Sequence, residues 1–143
     1  MTALAECIEI RCVQSWNGDE IVDLYRAGGW WKEEYNSAEI PRLIRGSFLF
    51  AVAVDKESGR AVGMGRAISD GVSDAYIQDL VVLPQFRKRG IGVQLASALV
   101  QKCRNAGVLW ICLVAEPGTE RFYTPLGFLR MEGHIPLLLR SDP

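Results

Sequence analysis

The segment 79–92, DLVVLPQFRKRGIG, constrains the fold of this chain more than any other. An apolar run typical of a strand ends at Pro84, which cannot donate a hydrogen bond to a sheet ladder. A basic loop follows, and then Gly90 and Gly92 open a segment in which apolar residues recur every four positions. This pattern predicts a helix over residues 90–106. The segment is therefore expected to form a strand, a short loop and a helix whose first N–H groups have no partner within the helix.

The loop between this strand and helix has the properties of an anion site. Arg87, Lys88 and Arg89 concentrate positive charge in a chain with 16 basic and 17 acidic residues and a formal net charge of −1. Glycines allow close approach of the backbone, and the positive end of the helix dipole lies behind them. Because the overall charge is balanced, we expect one pyrophosphate-sized site and no nucleic-acid or membrane partner. The alternative interpretation is a solvated turn.

The rest of the sequence predicts one domain, residues 1–143, of the α+β class. The four cysteines contain no C-x-x-C pair, which indicates no metal site and fits a reducing, cytoplasmic location. Periodicity predicts strands over residues 8–13, 48–54, 61–68, 75–83, 108–115, 128–132 and 136–140, and helices over 20–26, 37–45, 90–106 and 119–124. This order favours a mixed sheet with helices on both faces, in which the apolar strand 108–115 is buried on both sides.

Two motifs together resemble the GNAT superfamily of acyl-CoA N-acyltransferases. The loop and helix start, RKRGIG at 87–92, match the family pattern Q/R-x-x-G-x-G/A, and RFYTPLGF at 121–128 is similar to F-Y-x-x-x-G-F. They occur in the family's order, with a predicted helix and strand between them. The resemblance implies a GNAT fold in which acyl-CoA lies in a V-shaped opening between two splayed parallel strands, here 80–83 and 108–115.

The resemblance also implies a reaction, the direct transfer of an acetyl group from acetyl-CoA to a primary amine without a metal. Backbone groups of Leu80, Val81 and Val82 are expected to pair with the pantetheine and polarise the thioester. Tyr123 matches the family's general acid, and a phenol with a pKa near 10 keeps its proton at neutral pH. The alternative for Tyr123 is an ordinary packed aromatic residue. The residues expected at the pyrophosphate are Arg87, Lys88, Arg89, Gly90, Ile91, Gly92 and Val93.

Asp79 places a carboxylate in an otherwise apolar strand, where it requires a partner or a cleft. In some small-amine members of the family a carboxylate at this place lies beside the substrate amine. Asp79 is therefore interpreted either as a base for the amine or as a structural carboxylate. Aromatic and acidic residues between the first two helices favour a cationic or aromatic amine, although they also fit a hydrophobic cover over the sheet. These candidate acceptor-binding residues are Trp30, Trp31, Glu33, Glu34 and Tyr35.

The basic loop also fits three other functions. These are a non-catalytic acyl-CoA-binding module, an acetyltransferase for protein amines and a protein-interaction domain. Leu24-Tyr25, Gly29-Trp30 and Asp79 are similar to the plant and cyanobacterial serotonin acetyltransferase branch. Glu116 departs from the family, which often has Asn there. The apolar run 136–139 near the C-terminus is an expected homodimer contact.

Overall fold

The structure, a computed structural model, describes residues 7–141. The chain divides into two compact units, of which the first ends at Leu113 and the second begins at Val114. The expectation of a single domain stays a prediction. The first unit contains all of the strands found in the described residues, and the second contains one short helix followed by turns and coil.

A five-stranded sheet forms the first unit, with the strands in sequence order. All neighbouring strands are antiparallel except the last pair, which is parallel. The strands are β1 (Ile8–Cys12), β2 (Leu49–Asp55), β3 (Ala61–Ser69), β4 (Asp74–Val82) and β5 (Trp110–Leu113). The helices of this unit are α1 (Gly18–Ala27), α2 (Ile40–Gly46) and α3 (Ile91–Asn105), with 3₁₀ turns at Ser37–Glu39 and Pro84–Phe86.

Helix α1 is fixed at its start by two polar side chains. The Asn17 side chain accepts a hydrogen bond from the Glu20 backbone N–H at 3.1 Å, which satisfies one of the free donors of the first turn. The Glu20 carboxylate in turn accepts from the Trp16 indole at 3.0 Å and from the Ala61 backbone N–H at 2.7 Å. The start of α1 is thereby tied to the start of β3.

Helix α3 packs against one face of the sheet because two glycines of β3 make room for it. A Cβ added at Gly63 would lie 3.0 Å from the Leu95 side chain, and one added at Gly65 would lie 3.0 Å from that of Leu99. Side chains alternate along a strand, so Arg66 projects from the opposite face. Arg66 and α1 share that face, and helices therefore cover both sides of the sheet as predicted.

Strand β5 is shorter and more exposed than the sequence indicated. It spans Trp110–Leu113 rather than residues 108–115, and the Trp110 residue is 51% exposed. The prediction that this strand is buried on both sides is wrong. Within residues 7–113 it pairs only with β4, so it is an edge strand there, and its Ile111 packs against a buried cluster that includes Cys103 and Val108.

The second unit contains helix α4 (Glu120–Tyr123) and a 3₁₀ turn at Thr124–Leu126. The strands predicted over 128–132 and 136–140 do not form among the described residues. Their apolar residues favour a strand only where a neighbouring strand supplies hydrogen bonds, and Leu137, Leu138 and Leu139 are more than 90% exposed. Homodimer formation through this run stays a prediction.

Candidate active site

Strands β4 and β5 separate after four paired residues. Their pairing begins at Asp74 with Trp110 and ends at Ile77 with Leu113. β4 continues beside β3 as far as Val82, so residues 78–82 have no partner on their other side within residues 7–113. This segment, called the open edge below, contains Leu80, Val81 and Val82, the residues expected at the pantetheine.

The separation coincides with an irregularity in β4. Met64 of β3 pairs with Val81 and Arg66 pairs with Gln78, so two residues of β4 lie opposite the single Gly65. Such a bulge bends the strand and increases its twist. Asp79 is one of these two residues and has a φ of 60°, in the left-handed region that few residues other than glycine adopt.

Asp79 is held by two donors from different elements. Its Oδ2 accepts a hydrogen bond from the Tyr25 hydroxyl of α1 at 2.8 Å and one from the Arg66 Nε of β3 at 2.7 Å. Arg66 also donates to the Gln78 side chain at 3.1 Å. Burial, together with the Asp79 charge, raises the pKa of the Tyr25 phenol far above its ordinary value. The Tyr25 hydroxyl therefore keeps its proton and donates a hydrogen bond to Asp79 at every physiological pH.

Neither Tyr25 nor Arg66 is predicted from the sequence as a partner of Asp79, although the sequence contains a signal for Arg66. Arg66 interrupts the apolar strand β3 as Asp79 interrupts β4, and the two strands follow one another in the chain and pair in the structure. Opposite charges on neighbouring strands indicate a cross-strand ion pair. Tyr25 could not be assigned in this way because its contact with Asp79 joins residues 54 positions apart.

The start of α3 has the features expected of an anion site. Gly90 precedes the helix with a φ of 80°, and no side chain caps the helix start. The first backbone bond of the helix runs from the Gln94 N–H to the Gly90 carbonyl at 3.1 Å. The N–H groups of Ile91, Gly92 and Val93 therefore have no carbonyl within the helix to bond. The first turn also carries no acidic residue.

The three basic residues of this loop occupy different environments. Arg87 donates from Nε to the Val82 carbonyl at 2.9 Å and from Nη2 to the Ala27 carbonyl at 3.4 Å. Lys88 is exposed, with a φ of 63°. The Arg89 guanidinium lies 5.3 Å from the centre of the Phe86 ring. Arg87 thus connects the loop to α1, while the side chains of Lys88 and Arg89 donate to no backbone carbonyl among residues 7–141.

The aromatic residues predicted at the acceptor site cluster around Tyr25. The ring centre of Tyr25 is 6.3 Å from that of Trp30 and 6.4 Å from that of Trp31, and Trp31 is 5.5 Å from Tyr35. A cavity of about 290 Å³ lies beside Trp31 and Tyr35. Its charged lining comprises Asp19, Asp23, Glu33 and Arg26, and Arg26 lies 3.6 Å from Asp23 and 3.8 Å from Glu33. The predicted Glu34 and Trp30 are not among its lining residues.

Tyr123 lies in the second unit, at the end of α4. Its ring makes edge-on contacts with Phe122 and Phe128, at centre distances of 4.9 and 5.9 Å. Burial and the charge of Glu116 raise the pKa of the Tyr123 phenol. The hydroxyl therefore keeps its proton at neutral pH, as a general acid requires. Pro125 lies in the 3₁₀ turn that directly follows Tyr123.

Among residues 7–141, no helix has both the length and the apolar character that a membrane crossing requires. The same part of the chain contains no group of three or more His, Cys, Asp or Glu side chains placed to hold a metal ion.

Comparison with known proteins assigns the family. Residues 14–128 match the acetyltransferase (GNAT) family. An uncharacterized N-acetyltransferase, ycf52, from Porphyra purpurea is 32% identical over 111 residues, which are 78% of this chain and 64% of that protein. Serotonin N-acetyltransferase 2, chloroplastic, from Oryza sativa subsp. japonica is 40% identical over 76 residues, which are 53% of this chain and 38% of that protein.

A solved structure shares the fold. The structure of AAC(6')-Iy in complex with the bisubstrate analog CoA-S-monomethyl-acetylneamine has a TM-score of 0.72 and 21% identity, and the match covers 93% of this chain and 98% of that one. The chain spans less than two thirds of the Porphyra purpurea relative. With its motifs, its separated parallel strands and the match over residues 14–128, the chain belongs to the acetyltransferase (GNAT) family.

Proposed function

We propose that the protein transfers an acetyl group from acetyl-CoA to a primary amine by direct attack. The observation that carries this proposal is the succession of the open edge of β4 and the uncapped start of α3. The first offers backbone N–H and C=O groups to an amide-containing chain such as pantetheine. The second offers free N–H groups and a helix dipole to a pyrophosphate. One donor molecule, acetyl-CoA, contains both groups.

The reaction has a simple balance of bonds and protons. The neutral amine attacks the thioester carbonyl carbon, the C–S bond of the tetrahedral adduct breaks, and the amine nitrogen loses a proton to solvent or a base. Backbone N–H groups of the open edge stabilise the oxyanion. Tyr123 donates its proton to the departing thiolate, and its raised pKa keeps that proton available.

Direct transfer is favoured over a cysteine intermediate because the candidate thiols are not activated. Burial raises the pKa of Cys12, Cys103 and Cys112. Only a thiolate is a strong nucleophile, and a low pKa is the signature of catalytic cysteines. We therefore infer a ternary complex of protein, acetyl-CoA and amine.

For the acceptor, we propose a small cationic amine with an aromatic or other apolar body. Trp31 and Tyr35 form an edge-on aromatic pair beside a cavity whose lining holds three carboxylates and one arginine, and aromatic rings beside an excess of negative charge bind cations and rings. The 40% identity to a serotonin N-acetyltransferase over 76 residues supports an arylalkylamine as the first compound to examine.

Two measurements test the proposal. Isothermal titration should show that acetyl-CoA binds at least tenfold more tightly than acetyl-pantetheine, because only the former carries the pyrophosphate. Thiol release should then be followed with serotonin, tryptamine, spermidine, glucosamine-6-phosphate and a lysine peptide, and we expect the arylalkylamines to react fastest.

Three other outcomes would each contradict the proposal in a different way. Binding without thiol release for any amine would indicate a non-catalytic acyl-CoA-binding module. Reaction with the lysine peptide alone would indicate a protein acceptor. A failure to bind acetyl-CoA would leave a protein-interaction domain as the better interpretation of the basic loop.

A further inference from the structure

Two contacts join the last turn of α1 to the open edge, one at each end of it. The Tyr25 hydroxyl donates to Asp79 at 2.8 Å, where the open edge begins. The Ala27 carbonyl accepts from Arg87 at 3.4 Å, and the same guanidinium donates to the carbonyl of Val82, where the open edge ends. Tyr25 and Ala27 are two residues apart.

From this arrangement we propose that Tyr25 and Arg66 are positioning residues, which hold Asp79 in the bulge and so aim the backbone groups of the open edge at the thioester. The proposal rests on the proposed function, since it concerns the strand assigned there to the pantetheine. Neither residue needs to touch a substrate. Both act through the Asp79 carboxylate on the direction of β4.

The conformation of Asp79 explains why such a restraint is needed. A φ of 60° is unfavourable for a residue with a Cβ, and it persists only where surrounding contacts fix it. Arg66 reaches the carboxylate from the strand across the bulge, and Tyr25 reaches it from the helix above. The side chains of Arg66 and Asp79 are 18% and 22% exposed, so solvent competes little with their ion pair.

The position of the bulge connects this restraint to the reaction. Pairing with β5 ends at Ile77, and Asp79 follows two residues later. A change in its backbone angles would redirect Leu80, Val81 and Val82, which no strand holds on that side within residues 7–113. Catalysis by backbone donors depends on their direction, because a shift of about 1 Å can cost on the order of a hundredfold in rate.

Removal of the Tyr25 hydroxyl is the first test. We expect Tyr25→Phe to lower kcat between about tenfold and a hundredfold. The Kd of acetyl-CoA should change less than threefold, since the α3 start is untouched and the flexible pantetheine can still pair with a slightly redirected open edge. Tyr76→Phe is the matched control. Tyr76 lies on β4, the same strand as Asp79. Its hydroxyl makes no hydrogen bond among residues 7–141, so kcat of Tyr76→Phe should stay within twofold of wild type.

Replacement of the arginine is the second test. Arg66→Lys keeps the charge but loses the planar group that reaches both Asp79 and Gln78, and we expect the same split between kcat and Kd. Arg11→Lys is its control, because Arg11 pairs with Glu9 on the exposed surface of β1 at 2.9 Å. The double variant Tyr25→Phe with Asp79→Asn should be no slower than Asp79→Asn alone, since both changes release the same bulge.

The outcomes separate this inference from the proposed function. If wild-type protein binds and acetylates normally and both variants retain kcat within twofold while only Tm falls, the two residues are structural and the inference is wrong. A parallel tenfold loss of acetyl-CoA affinity would equally overturn it, because the effect would then lie in binding. If Tyr25→Phe does not fold, Arg66→Lys decides the question by the same readouts. Wild-type protein that releases no thiol would instead contradict the proposed function.

Discussion

Gly28 lies against the indole ring of Trp30, so that a Cβ added at Gly28 would come within 2.6 Å of the ring carbon Cε3. The ring is rigid and also lies edge-on to Tyr25. The φ of Gly28 is −78°, which alanine adopts without strain. Glycine is therefore required here for space, and the turn after α1 depends on it.

We predict that Gly28→Ala displaces Trp30 and lowers the free energy of unfolding by about 1–3 kcal/mol, as overpacking does. Denaturant unfolding and the near-ultraviolet circular dichroism of the tryptophans would measure the two effects. Gly46→Ala is the control, since it ends α2 with open space around it and should leave stability unchanged or raise it by about 0.4–1 kcal/mol. Equal stability of the two variants would show that Trp30 moves without cost.

Gly90 and Gly107 provide a matched pair for the pyrophosphate assignment. They flank α3, with φ values of 80° and 88°, and a Cβ at either one would meet open space. Valine at either position should therefore cost a similar backbone strain, of about 1–3 kcal/mol. We predict that only Gly90→Val weakens acetyl-CoA binding, by tenfold or more in isothermal titration. Equal affinities of the two variants would remove the loop from the donor site.

Much of the first unit could be predicted because its local signals agree with its tertiary contacts. Gly90 and the four-residue apolar repeat predicted α3 to within one residue at each end, since the same residues that favour the helix also pack on the sheet. The prediction of strands over 128–132 and 136–140 is wrong for the opposite reason, since the local pattern is not supported by tertiary contacts. A short apolar segment does not reveal whether a neighbouring strand is present to pair with it.

The candidate site likewise contains features that can be predicted from the sequence and features that cannot. Asp79 and the 87–92 loop are visible in sequence because a charge interrupts an apolar strand and glycines open a helix. The direction in which a side chain points, in contrast, cannot be predicted from the sequence. The charge of Arg87 predicts a phosphate ligand, and this stays a prediction, but the sequence does not show that its guanidinium donates to the Val82 and Ala27 carbonyls. The role of Tyr25 depends on a helix crossing over a bulge, and neither its distance from Asp79 nor its burial follows from local spacing.

Tyr123 is predicted to affect the chemical step alone. We expect Tyr123→Phe to lower kcat by about 10²–10⁴-fold, the usual contribution of a positioned acid, and to change acetyl-CoA affinity less than threefold. Tyr76→Phe again supplies the control for loss of a phenol. Stopped-flow measurement of thiol release from pH 6 to 9 would test this, and a kcat that stays at the wild-type value across that range would exclude Tyr123 as the acid.

The buried phenol of Tyr25 makes stability depend on alkaline pH. Its pKa in the folded protein lies above the unfolded value of 10.0, because the residue is only 8% exposed and its hydroxyl faces the Asp79 carboxylate. Above pH 10 the unfolded chain therefore binds fewer protons at this site than the folded protein, so the free energy of unfolding falls as pH rises. The stabilisation is complete below pH 10 and is lost toward the higher folded pKa, with a slope of at most about 1.4 kcal/mol per pH unit. Urea unfolding between pH 8 and 11.5 should show this fall for wild type and a smaller one for Tyr25→Phe. A wild-type minus Tyr25→Phe difference that stays constant over this range would mean that the phenol titrates freely in the folded protein.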